Sequence, residues 1–66
     1  MNESKKDKRT RFFEVYASLP IGVRDEIILV LESKGPITWN VAYLEVKNET
    51  KLGEEILSKL DELKII

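Results

Sequence analysis

Ile27-Ile28-Leu29-Val30-Leu31-Glu32-Ser33-Lys34-Gly35-Pro36 is the stretch on which the reading of this chain turns. Five apolar residues in a row, three polar ones and then Gly-Pro read as the end of a helix. Glycine tolerates the left-handed conformation that follows a last helical turn, and proline cannot continue the helix. The reading gives a helix from Pro20 to about Lys34. Pro20 suits its first turn, with Ser18 or Leu19 at the cap position. Val23, Ile27, Val30 and Leu31 form its main stripe, and Ile28 and Leu29 carry the apolar surface most of the way round. A helix apolar on several sides is either central to its fold or shared with another chain. Three neighbouring helices in so short a chain can hardly cover all of it. Ile28 and Leu29 are therefore candidate interface residues, for a second copy or for a larger protein.

C-terminal to this stretch, Thr38 is placed to cap a helix over about residues 39–47. Trp39, Ala42, Tyr43 and Val46 share one face of it. Several residues of Trp39-Asn-Val-Ala-Tyr-Leu-Glu-Val46 are also good strand formers, so a strand is the competing reading. Apolar spacing of three and four without clean alternation favours helix. Trp39 and Tyr43 join the candidate interface, because an indole at a helix start beside Pro36 can leave an edge exposed as an anchor. Lys47-Asn48-Glu49 reads as a turn, and Thr50 caps a last amphipathic helix with Leu52, Ile56, Leu57, Leu60 and Leu63 on one face.

N-terminal to it, Phe12, Phe13, Val15, Tyr16 and Leu19 give a wide apolar face to a short helix over roughly residues 6–17. Ser18-Leu19-Pro20 ends that helix, since the residue before a proline is pushed out of the helical region. Residues 1–11 carry five basic side chains against two acidic ones, a net of +3, whereas residues 12–66 carry a net of −4. A basic, partly disordered N-terminal arm over 1–11 and a single helical domain over 12–66 follow.

Composition narrows the function. At 66 residues the chain forms one domain at most, and a domain of that size buries only about 60% of its unfolded surface. No Cys is present to cross-link it or to bind metal as thiolate, and no His to act as base or ligand. A partner surface is the remaining source of extra stability. The adjacent pairs Asp25-Glu26, Glu54-Glu55 and Asp61-Glu62 point about 100° apart on a helix, which suits solvated faces rather than paired catalysis. No phosphate-binding or calcium loop appears. Catalytic, cofactor and metal sites are expected to be absent. The longest apolar run falls far short of the ~20 residues a membrane helix needs, and no signal-type region follows the charged N-terminus, so a cytoplasmic protein is expected. The Lys- and Glu-rich, Gln-free composition fits a hot environment.

Residues 24–66 resemble the helix-turn-helix core of the winged-helix superfamily, which includes many small archaeal and bacterial regulators. Ser33-Lys34-Gly35-Pro36-Ile37-Thr38 stands where that family links its first helix to a support helix. Leu57, Leu60 and Leu63, followed by Ile65-Ile66, match its closing pattern. The resemblance implies an all-α, compact three- to four-helix domain with a wingless winged-helix core, in which Thr50–Ser58 would be the DNA-reading surface. Glu54 and Glu55 lie on that surface, and duplex DNA draws most of its affinity from Lys and Arg.

Two functions follow. The first is a small non-enzymatic interaction module, serving as an accessory subunit of a nucleic-acid-handling complex, that docks on a larger protein or on itself through Ile28, Leu29, Trp39 and Tyr43. The second is a dimeric helix-turn-helix DNA-binding regulator. It would contact phosphates through Lys5, Lys6, Lys8, Arg9 and Arg11 and bases through Thr50, Lys51 and Ser58.

Overall fold

The computed structural model describes residues 7–66. Helix α1 spans Lys8–Ala17, followed by a short 3-10 helix, Ile21–Asp25. Strands β1 (Ile27–Leu31) and β2 (Gly35–Thr38) form an antiparallel hairpin, and helices α2 (Trp39–Lys47) and α3 (Lys51–Glu62) complete the chain. The architecture is mixed α/β, which overturns the all-α expectation and its three- to four-helix, wingless winged-helix form. The helix expected over residues 20–34 does not exist.

The physical reason lies in Gly35. Its φ is +82°, the left-handed conformation the helical reading also required. A short hairpin connection is commonly followed by a residue in the same conformation. Here residues 32–34 form that connection, the Lys34 N–H donates to the Leu31 carbonyl at 3.2 Å, and Leu31 pairs with Gly35. A left-handed glycine before proline thus closes a hairpin as readily as it ends a helix. The β-branched Ile27, Ile28 and Val30 then favour the strand.

The other elements follow the local signals. The Asp7 carboxylate accepts from the Thr10 N–H (2.8 Å) and starts α1. The Thr38 hydroxyl accepts from the Val41 N–H (3.1 Å), so residues 39–46 are helix, not strand. The Thr50 hydroxyl accepts from the Gly53 N–H (2.9 Å) and donates to the Glu45 carboxylate (2.6 Å), which caps α3 and ties it to α2. Glu49 turns the chain between these helices at φ 56°.

The core lies between the helices and one face of the hairpin. Phe12 from α1, Trp39, Ala42 and Val46 from α2, and Ile56 and Leu60 from α3 supply its helical side. Leu29, Leu31 and Ile37 supply the sheet side. Helices α2 and α3 cross so closely at Gly53 that a Cβ there would lie 2.7 Å from the Glu45 carbonyl carbon and 3.0 Å from the Val46 nitrogen. No side chain larger than hydrogen fits that crossing. Among the described residues no helix is long and apolar enough to cross a membrane.

Candidate protein-docking surface

The period of a strand sorts the Ile27–Leu31 run into two faces. Leu29 (7% exposed) and Leu31 turn into the core, opposite Ile37 and Gly35. Val30, 67% exposed, turns out and is paired with the exposed Pro36. Ile28 is half-buried. A register shift between Ile27 and Leu29 sets two residues against Thr38 and leaves Ile27 57% exposed. The outer face of an antiparallel sheet is ordinarily polar. This one carries no charged side chain between Glu26 and Glu32. The 3-10 helix immediately before it adds Ile21, 80% exposed. On α2, Val41 and Leu44 face outward as well.

The four interface residues expected from the sequence do not all reach this surface. Leu29 and Trp39 lie in the core, and Ile28 and Tyr43 are half-buried. Trp39 packs against Phe12 with ring centroids 6.0 Å apart. Tyr43 stacks on Tyr16 at 4.5 Å and meets the edge of Phe13. The faces of these half-buried rings are already occupied. Arg24 lies over Tyr16 (4.4 Å), Arg9 over Phe13 (5.0 Å) and Lys47 over Tyr43 (5.8 Å). The exposed apolar side chains are neighbours of the expected ones, namely Ile21, Ile27 and Val30. A helical period applied to this run could not single out Val30, whereas the alternation of a strand would have; Ile27 is exposed only because of the register shift, and Ile21 lies outside the strand.

A hydrogen-bonded chain holds the 3-10 helix in place beside the hairpin. The Tyr16 hydroxyl donates to Asn40 Oδ1 (2.7 Å), and Asn40 Nδ2 donates to Asp25 Oδ1 (2.7 Å). Arg24 donates to the Tyr16 carbonyl at 3.2 Å. One α2 side chain, Asn40, therefore fixes α1 and the segment that leads into β1.

The residues expected to meet nucleic acid converge in part. Lys8, Arg9 and Arg11 line an open groove of about 560 Å³ between the start of α1 and α3, with Glu54, Leu57 and Ser58 on its other wall. Lys5 and Lys6 lie outside the described residues. The two arginines are engaged within the fold. Arg11 bridges Asp61 at 2.9 Å and donates to the Ile66 carbonyl, and Arg9 lies 3.5 Å from both the Glu49 carboxylate and the Lys47 carbonyl. The hydrogen bond from Arg11, reinforced by its charge and those of Lys8 and Lys64, holds the Asp61 carboxyl below the usual range. Asp7 is held low by the Thr10 backbone and hydroxyl donors first, and then by Arg9 and Arg11. The Thr50 hydroxyl is used twice in the cap, and Lys51 and Ser58 are exposed on α3 beside Glu54 and Glu55.

No protein-family model, curated protein or solved structure matches the chain.

Proposed function

We propose that this chain is a small non-enzymatic interaction module that docks on another polypeptide through the outer face of its hairpin and the adjoining 3-10 helix. The exposure of Val30 and Ile27 on a charge-free sheet face carries this reading. Solvating a valine and an isoleucine that a partner could cover forgoes about 1.5–3 kcal/mol each. Apolar patches rimmed by polar residues mark protein contacts, and Glu26, Glu32, Ser33 and Lys34 rim this one. A role as an accessory subunit of a nucleic-acid-handling complex fits the two-helix unit described next. Light scattering, together with affinity capture by the full chain, tests the proposal. The wild type is expected to self-associate or to retain a partner that an Ile27→Asp/Val30→Asp variant loses. A strictly monomeric wild type that retains nothing sinks it.

A second reading, a helix-turn-helix DNA-binding regulator acting as a dimer, draws on the α2–turn–α3 unit and the basic wall of the groove. Against it, Glu54 and Glu55 stand on the outer face of α3, and Arg9 and Arg11 already face carboxylates. Cations in such pairs release few counterions on meeting phosphate. An electrophoretic shift of duplex DNA at low salt, lost when residues 1–11 are removed, would favour this reading. No shift on any duplex removes it.

A further inference from the structure

We propose that a second copy of this chain docks on the open edge of β1, antiparallel to it, with Val30 facing Val30 across a two-fold axis. Two hairpins then form one four-stranded sheet. The inference rests on the docking reading above and commits it to one occupant.

The two edges of the hairpin are unequal. Pairs alternate between bonded and non-bonded along an antiparallel ladder, and Pro36, the partner of Val30, has no N–H to give to β1. Val30 and Pro36 are therefore the non-bonded pair, the one place in β2 where a residue without an N–H costs the ladder nothing. Their main-chain groups point away from each other, toward the outer edges. On the β2 edge that position has no donor to offer. On the β1 edge Val30 presents both its N–H and its C=O. Edges in native proteins are normally blunted by charge, by proline or by a covering element. Residues Ile27–Leu31 contain neither charge nor proline, the sheet has only two strands among the described residues, and the bulge lies at the far end of β1.

The edge also complements itself. A two-fold axis normal to the sheet keeps Leu29 and Leu31 of both copies on the core side. It brings Val30 of both together on the outer side, so apolar groups meet on each face. Charge selects the register. With Val30 facing itself, Glu26 at each end lies toward the partner's Lys34. Moving the axis by one residue, so that Leu29 faces itself and the strands slide by two, sets Glu26 against the partner's Glu32 twice, and like charges directly opposite are destabilising. Because Pro36 blunts the other edge, pairing stops at two copies instead of propagating.

Sedimentation of the full chain from micromolar to millimolar concentration is expected to show twice the chain mass, dissociating on dilution. Val30→Lys should give a monomer with an unchanged circular dichroism spectrum. Val30→Pro should do the same, because it removes only an outward N–H; if that variant fails to fold, the lysine variant carries the test. Glu26→Lys should weaken the dimer by about five- to tenfold, from two lost charge pairs, and Glu26→Lys/Lys34→Glu should restore it. A wild type that stays monomeric overturns the second-copy proposal. If it still captures a partner through Ile27 and Val30, the docking reading survives; if it captures nothing, both fall. A dimer indifferent to the Val30 variants but broken by Leu44→Lys overturns the β1 edge as the site. Failure of the charge exchange to restore association overturns the register.

Discussion

The α2–α3 half and the hairpin half of this molecule bury similar apolar residues by different means. Between α2 and α3 nearly every local demand is met within the chain. Thr50 caps α3 and holds Glu45, Gly53 lets the backbones touch, and Arg9 and Arg11 reach across from α1 to carboxylates. The hairpin meets such demands on one face only. Leu29, Leu31 and Ile37 are covered, whereas Val30 and Pro36 directly behind them meet solvent. The helical pair is complete as a folding unit, whereas the hairpin covers one of its faces and leaves the other to solvent.

Substitutions can break or sharpen that contrast. Leu29→Ala should be the most damaging, costing about 3 kcal/mol as a core truncation, while Val30→Thr one residue away stays within about 0.5 kcal/mol in the monomer. Urea denaturation of the two variants measures the difference, and equal losses would mean that the strand has no covered side. Gly53→Ala should cost about 2–3 kcal/mol, because the new methyl can be accommodated only by moving α3 away from the Glu45 carbonyl. Thermal unfolding followed at 222 nm, the usual helix band, reads that loss, and an unchanged midpoint would show that the two helices can separate freely. Thr50→Ala should cost about 1 kcal/mol, the usual value of an N-cap, detectable in the same melts.

Acid should act on the helical side first. Asp7 and Asp61 bind protons less readily in the folded chain than at their ordinary value of 3.8. As pH falls, the unfolded chain therefore takes up protons before the folded one. The contribution of these two groups is fully present above that value and is lost as pH drops through the lower folded values. Asp61→Asn should flatten this part of a stability profile measured between neutrality and acid, and an unaltered profile would show that the Arg11 contact does not bias the titration. The smallest effect is expected in the turn. Glu49→Gly should gain about 0.5 kcal/mol by relieving a left-handed non-glycine residue, net of the glycine's greater freedom when unfolded. A midpoint that falls instead would show that the Arg9 contact outweighs the strain.

Local chemistry was the legible part of the sequence. Thr38 and Thr50 marked their helices because a hydroxyl before an apolar period has few other uses; the break at Ser18-Leu19-Pro20 stands where its signals placed it, and the turn read at residues 47–49 lies at 48–50, with Lys47 still in α2. The hairpin was illegible for the opposite reason. Gly35 adopts the expected backbone conformation, but that conformation serves two structures, and only the partner strand decides between them. The same ambiguity displaced the candidate surface. Ile28 and Leu29 sit beside a helical stripe, whereas in a strand Leu29 becomes core and Val30 the exposed group. Gly53 gave no sign of its role either, since a close crossing is a property of two helices and not of one.

The position of Trp39 gives the molecule an optical reporter of its own. The chain has a single tryptophan, 7% exposed, beside Phe12 and with its backbone N–H donating to the Glu26 carbonyl where β1 begins. Its emission thus records the joint between hairpin and helices from inside the core. Docking on the outer face of the sheet should leave that emission nearly unchanged, whereas opening of the hairpin should shift it to the red. Fluorescence can therefore separate a variant that has lost its partner from one that has lost its fold.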